Sequence, residues 1–310
     1  MISVSDLSKY YGEFRAVNNI SFSVKTGEIT GLLGPNGAGK TTTLRMLTCF
    51  LKPTSGKICV GDFYADENPD KVRSIIGYLP ESAPIYGDMI VFDYLDYIRQ
   101  IRGIESAGRI KEIADICGLK EMMHKNVSEL SKGYKQRVGL AHAMISNPDI
   151  LILDEPTSGL DPNQIIEIRK LIKEIGKEKT VILSTHILSE VEATCDRVII
   201  IDKGEIVADN RTSELKATQG ASSKISIKVS NIDFDSLNSA LRNIQGVKDV
   251  SKGDDKDLTA AVILAAADQE IRPEIFKMLS EKGWPLYEMI KETRSLENVF
   301  RELTRGGNNE

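Results

Sequence analysis

The stretch Leu32-Leu33-Gly34-Pro35-Asn36-Gly37-Ala38-Gly39-Lys40-Thr41-Thr42 constrains the fold more than any other part of the chain. It reads as the end of a strand, a glycine-rich turn, and a helix running from Thr41 to Leu51. Gly34, Gly39, Lys40 and Thr41 fill the pattern G-x-x-x-x-G-K-[ST] of a phosphate-binding loop. Glycines let the backbone curl so that successive N–H groups, here from Gly34 through Thr42, point at an anion. The helix adds its positive N-terminal end to the same place. Lys40 has the reach for β- and γ-phosphates, and the Thr41 hydroxyl suits Mg²⁺. A loop that only joined a strand to a helix would need none of this order. A nucleotide site in an α/β fold is the expectation.

Length and composition narrow what surrounds that site. With 310 residues, 41% hydrophobic and 27% charged, the chain suits one large or two ordinary globular domains. A net charge of −5 gives no general attraction for nucleic acid or an anionic membrane surface, so no nucleic-acid partner is expected. Cys49, Cys59, Cys117 and Cys195 show neither paired metal spacing nor a disulfide framework, and read as thiols of a reducing compartment. The N-terminus lacks the basic start and apolar run of a secretion signal. The longest apolar run, Ala260 to Ala267, is far too short to cross a bilayer, so any membrane role must come through a partner.

In chain order, Ile20, Phe22 and Val24 alternate with polar residues as a half-buried antiparallel strand. Tyr11 lies upstream in the same β region, where its ring can stack on an adenine. Ile75 to Leu79 reads as a buried strand ended by Pro80-Glu81. Val91 to Gly118 is helical by period, with Phe92, Leu95, Ile98 and Ile101 on one face and breaks at Gly103 and Gly108. Ser131 is a candidate N-cap for a helix continuing to Asn147-Pro148. Ile150 to Leu153 is a continuous apolar run, as in a strand covered on both faces. It delivers Asp154 and Glu155 to a strand end, where ligands of open α/β sheets bind. The next apolar strand, Thr180 to Thr185, ends in His186, and Val198 to Ala208 reads as a hairpin.

A small, polar linker is expected at 217–223 between a first domain, 1–216, and a second, 224–310. The second reads β-α-β-β-α-β, a small ferredoxin-like order, followed by a helix capped by Ser295 with Leu296, Val299, Phe300 and Leu303 on one face. It carries no catalytic cluster, and Trp284 reads as a packing anchor.

Beside a phosphate loop the acids acquire a chemical sense. Asp154 can hold Mg²⁺ through its water shell, Glu155 can accept a proton from the water attacking a γ-phosphate, and His186 can contact that phosphate. These features in this order resemble the nucleotide-binding subunit of ATP-binding-cassette (ABC) transporters, over Ile2 to Arg211. Tyr11 matches the adenine-stacking aromatic, Gly34 to Thr42 the Walker A loop, and Leu130 to Arg137 the signature motif. Ile150 to Glu155 matches Walker B with its catalytic glutamate, Ser158 to Asp161 the D-loop, and His186 the switch histidine.

The resemblance implies a P-loop ATPase with a mixed sheet, an antiparallel β subdomain and a helical subdomain at about 82–147. It implies catalytic Lys40, Glu155 and His186, and a metal shell of Thr41, Asp154 and Glu81. Nucleotide contacts would come from Tyr11, the loop Gly34, Pro35, Asn36, Gly37, Ala38, Gly39, Lys40, Thr41 and Thr42, and Ser131, Gly133 and Asp161. ATP and Mg²⁺ follow as cofactors, with a second copy sandwiching ATP and integral membrane permease subunits at the cytoplasmic face of the cell membrane. Two departures stand out. Lys132 and Tyr134 replace a glycine and the glutamine of Leu-Ser-Gly-Gly-Gln, and Glu81 stands where the Q-loop glutamine is usual. These, with the tail Ser-Leu-Glu-Asn-Val-Phe-Arg-Glu-Leu-Thr, resemble a branch of bacterial exporter and gliding-motility-associated ATPases.

A soluble ABC ATPase acting on ribosomes or DNA is the alternative. The single phosphate loop and the lack of a long heptad run between the Walker motifs speak against it. A small-molecule kinase would have no use for the signature and D-loop motifs. A non-catalytic binding module would have no need of Lys40, Asp154, Glu155 and His186 together.

Overall fold

The computed structural model describes residues 1–213, 223–255, 257–266 and 269–292. The chain falls into two compact units, Met1–Thr212 and Ser213–Glu310.

The first unit begins with β1 (Ile2–Tyr11), β2 (Phe14–Val24) and β3 (Ile29–Leu33), then α1 (Lys40–Leu47). β4 (Ser55–Val60), β5 (Phe63–Tyr64), α2 (Pro69–Ile75) and β6 (Ile76–Leu79) follow. Next come α3 (Val91–Ile101), α4 (Gly108–Ile116) and α5 (Lys132–Met144). The unit closes with β7 (Ile150–Asp154), α6 (Pro162–Gly176), β8 (Thr180–Thr185), α7 (Leu188–Thr194), β9 (Arg197–Asp202) and β10 (Glu205–Arg211).

Two sheets result, one ordered β2-β1-β4-β5 and antiparallel, the other ordered β10-β9-β3-β8-β7-β6. In the second, β6, β7, β8, β3 and β9 run parallel, and β10 pairs antiparallel at the edge. Every residue of β3, β7 and β8 is buried, as expected of parallel strands covered on both faces. The parallel direction brings the ends of β3, β7 and β8 to one rim, with Leu33 beside Thr185 and Asp154 beside Ser184.

Two sequence expectations shift. α1 ends at Leu47, not Leu51: Thr48 donates its hydroxyl back to the Leu44 carbonyl at 3.1 Å, and Cys49 turns left-handed at φ 55°. That is a helix stop of the usual geometry without the glycine that normally announces it. In α3 the buried stripe is Val91, Tyr94, Leu95 and Ile98, while Phe92 and Ile101 are exposed. Tyr94 is drawn inward because its hydroxyl meets His142 Nδ1 at 2.7 Å, so an amphipathic residue holds a place that hydrophobicity alone assigns to Phe92.

The second unit holds β11 (Ser223–Val229), α8 (Phe234–Arg242), β12 (Val247–Lys252), β13 (Thr259–Ala265), α9 (Arg272–Glu281) and β14 (Leu286–Glu292). Its sheet is ordered β12-β13-β11-β14 and is antiparallel throughout. Ile225, Ile227, Val229, Ala261 and Ile263 pack against Leu237, Leu241, Ile275 and Leu279, with Trp284 at the margin. Residues 217–222 of the expected linker and the helix expected at 295–303 lie outside the described residues.

Candidate active site

The phosphate loop is shaped by backbone that other residues cannot adopt. Gly37 and Gly39 sit at φ 80° and 105°, and a Cβ on Gly39 would come within 2.5 Å of the Ala16 carbonyl of β2. A Cβ on Gly34 would strike the Ile201 carbonyl of β9. The loop is further pinned by Gly34 N–H donating to Thr185 O at 3.3 Å and Gly204 N–H donating to Ala38 O at 3.0 Å. Ala38 N–H donates to Pro35 O at 3.2 Å, so the curl closes on itself.

Lys40 opens α1 and is buried, with its ammonium donating to Gly34 O at 2.8 Å and Pro35 O at 3.1 Å. Glu155 Oε1 lies 3.5 Å from it. Thr41 Oγ1 donates to Asp154 Oδ1 at 3.1 Å, and Ser184 Oγ donates to the same oxygen at 2.6 Å. Ser184 also accepts the Glu155 N–H at 3.0 Å, so one hydroxyl of β8 orders both acids at the end of β7. Glu155 takes φ 47°, a left-handed conformation that a side chain rarely adopts. That turn swings its carboxylate back toward Lys40 and His186, whose Nδ1 is 3.0 Å from Oε2.

These groups open onto one cleft of about 520 Å³. Tyr11, Phe14, Asn36, Gly37, Gly39, Lys40, Thr41, Thr42, Glu81, Glu155, Ser158 and His186 line it. Tyr11 and Phe14 pair across the β1–β2 hairpin, and both rings are exposed. Two aromatics therefore stand where the sequence pointed to one. Phe14 carries no local signal beyond its place across the tight turn at Gly12. Ser184, equally unannounced, is found only through the parallel pairing of β7 and β8.

Thr41 and Glu81 offer hard oxygens in the wall of this cleft, and Asp154 stands behind Thr41, hydrogen-bonded to it. Among the described residues no group of three or more His, Cys, Asp or Glu is arranged to cage a metal ion. A few protein oxygens, completed by phosphate and water, are what Mg²⁺ takes, so the donor set fits that ion.

Six of the expected nucleotide contacts do not line the cleft: Gly34, Pro35 and Ala38 of the loop itself, and Ser131, Gly133 and Asp161 away from it. Ser131 caps α5, accepting the Tyr134 N–H at 3.4 Å. Gly133 lies against α6, where a Cβ would press on the Gln164 side chain. Asp161 caps α6, accepting from Asn163 N–H and Gln164 N–H, each at 3.0 Å.

The family model described as "ABC transporter" matches residues 17–158. A second, "AAA domain, putative AbiEii toxin, Type IV TA system", overlaps it at 125–192. The chain is 34% identical to the linearmycin resistance ATP-binding protein LnrL of Bacillus subtilis (strain 168), over 98% of each chain. It is 41% identical to the bacitracin transport ATP-binding protein BcrA of Bacillus licheniformis, over 70% of this chain and 71% of that one. Among solved structures it is similar to cbiO1 from Clostridium perfringens, part of the ABC transporter complex cbiONQ, with a TM-score of 0.64 and 30% identity over 70% of this chain and 90% of that one. The dimeric bacterial ABC transporter cassette MJ0796 superposes with a TM-score of 0.63 and 26% identity, over 68% of this chain and 99% of that one. A phosphate loop, two acids at the neighbouring strand end and a histidine facing them thus occur in a chain that shares its length with named transporter subunits. The chain belongs to the ATP-binding subunits of ABC transporters.

Proposed function

We propose that the chain is the motor of a membrane exporter, hydrolysing ATP between two copies of itself at the cytoplasmic face of the membrane, bound to integral membrane permease subunits. The observation that carries the hydrolytic part is the convergence of Lys40, Thr41, Glu155 and His186 on one cleft, with Asp154 bonded to Thr41 behind its wall. Tyr11 and Phe14 take the adenine, and the loop from Gly34 to Thr42 takes the phosphates. Lys40 neutralises the β- and γ-phosphates. Glu155 accepts the proton of the attacking water, and His186, hydrogen-bonded to it, contacts the γ-phosphate. Thr41 and Asp154, with Glu81, hold Mg²⁺, which supplies charge neutralisation on the phosphate oxygens when bound.

The dimer is supported by the likeness to the dimeric MJ0796 cassette and by Ser131, Gly133 and Asp161, which do not line the cleft of their own chain. The helix beginning at Lys132, with Ser131 as its cap, offers a positive end for a phosphate. Export is supported by the names of the relatives, bacitracin transport and linearmycin resistance. No helix among the described residues is long and apolar enough to cross a membrane, so the cargo path belongs to partners. A groove of about 670 Å³, with Phe50, Leu79 and Pro84 among its walls, supports their docking beside the Glu81 loop.

Glu155→Gln tests the reading. It is expected to lower steady-state hydrolysis at least ~10²-fold, while ATP still drives dimers seen by light scattering. Hydrolysis at the unmodified rate would refute the base assignment, and monomers in saturating ATP would refute the sandwich.

A further inference from the structure

Glu190 is a buried carboxylate that the hydrolytic machinery as described leaves unused. It sits in the first turn of α7 and is only 3% exposed. One carboxylate oxygen accepts the Thr185 hydroxyl at 2.6 Å. The other accepts the Thr157 hydroxyl. Arg169 of α6 brings a guanidinium nitrogen to 3.8 Å. A carboxylate so far from water is tolerated only with such partners, and here the partners come from three separate elements.

The two threonines flank the reacting groups. Thr185 ends β8 directly before His186, and its oxygen also accepts the Ile187 N–H at 3.0 Å, so one hydroxyl pins the backbone on both sides of the histidine. Thr157 lies two residues past Glu155, in a turn closed by Ser158 N–H donating to the Glu155 carbonyl at 3.0 Å. The Glu155–His186 bond joins these same two loops on the cleft side. Glu190 joins them from behind.

We propose that Glu190 is a positioning residue for hydrolysis, holding the His186 loop and the Glu155 loop in register through Thr185 and Thr157. It does not line the cleft and acts through those loops. The proposal rests on Glu155 and His186 being the hydrolytic pair. It assigns the kinetic effect of Glu190 to their alignment, and none of it to the phosphate loop, whose contact with Thr185 is through the backbone carbonyl.

The test uses the full chain. Thr185→Val keeps the shape and removes the hydroxyl, leaving a buried carboxylate oxygen and the Ile187 N–H each short of a partner. Losing a hydrogen bond to a buried charge is expected to lower kcat about tenfold or more, with ATP affinity held within about twofold. Thr185→Ser, which restores the hydroxyl, recovers kcat to within about threefold. On a His186→Ala background, followed by release of labelled phosphate over long incubations, adding Thr185→Val lowers kcat by less than about twofold, because the lever has lost its load. Should Thr185→Val not fold, Thr157→Val removes the other anchor and is read the same way. Unchanged kcat in a folded Thr185→Val protein overturns the proposal, and so does a further tenfold loss on the His186→Ala background. If His186→Ala alone leaves kcat intact, the hydrolytic pair itself is wrong, a result distinct from failure of the latch.

Discussion

Lys40 and Glu155 form a buried ion pair, and its size can be worked out. The ammonium and the carboxylate are 3.5 Å apart with side-chain exposures of 7% and 9%. At an effective dielectric of ~20 the gross attraction is 332/(20 × 3.5), about 5 kcal/mol, before the cost of desolvating both groups. Removing one partner strands the other, which typically costs about 3–5 kcal/mol. The two carbonyls at 2.8 and 3.1 Å from Lys40 would remain without the ammonium as well. Lys40→Met should therefore destabilise the first unit by about 3 kcal/mol without nucleotide. Glu155→Gln should cost less, since the amide still accepts from Lys40 or His186. The double substitution should cost less than the sum, with a coupling of about 2 kcal/mol. Amide exchange in β7 and α1 against urea is the assay. Fluorescence of the sole tryptophan, Trp284, reports the other unit and would miss the effect. Additivity within about 0.5 kcal/mol would show that the pair is a geometric neighbourhood without energetic coupling.

Glu81→Gln, which removes one charge from the wall of the cleft, should leave ATP binding measurable while raising the Mg²⁺ concentration needed for half-maximal hydrolysis. Superimposable Mg²⁺ titrations would remove Glu81 from the metal shell. Burial, reinforced by the Arg102 guanidinium, holds His142 below its ordinary pKa of 6.5. The unfolded chain then takes up that proton first as pH falls, so this contribution to stability is complete above 6.5 and is lost on acidification toward the folded pKa. The slope from this group is at most about 1.4 kcal/mol per pH unit. A comparison of unfolding between about pH 7 and pH 5 should show it in the parent and not in His142→Asn. Equal slopes would place the titration elsewhere.

What could be read from the sequence and what could not divide along a physical line. The phosphate loop was legible because its glycine spacing is a local pattern and Gly39 is left-handed, even though the carbonyl that Gly34 approaches belongs to Ile201 of the distant β9. β7 was legible because burial on both faces leaves only an apolar run followed by two acids. The face of α3 was not, because Phe92 looks like the better core residue until His142 arrives to satisfy the hydroxyl of Tyr94. Phe14, Ser184 and Glu190 were invisible for a related reason. Each acquires its meaning from a partner in another element: Tyr11 across a hairpin, Asp154 across a parallel ladder, and two threonines at loop ends. A sequence shows residue types in order, and a register of strands is needed to say which of them meet.

The charges around the cleft carry the last step. Among the described residues that line it, Lys40 is the one lysine or arginine, while Glu81 and Glu155 are acids and Asp154 stands directly behind Thr41. A nucleoside triphosphate is a polyanion, and one ammonium already shared with Glu155 is a poor match for it. The deficit would be met by dipoles and cations that are not side chains of this wall: the N–H groups of the loop, the N-terminus of α1 and, on the proposed metal shell, a divalent ion at Thr41 and Asp154. A second copy would add the N-terminus of α5, whose cap Ser131 and close-packed Gly133 lie off the cleft of their own chain. In the proposed dimer, loss of the γ-phosphate would remove the anion that a second copy's α5 N-terminus is placed to bind, so closure would last only as long as the triphosphate does.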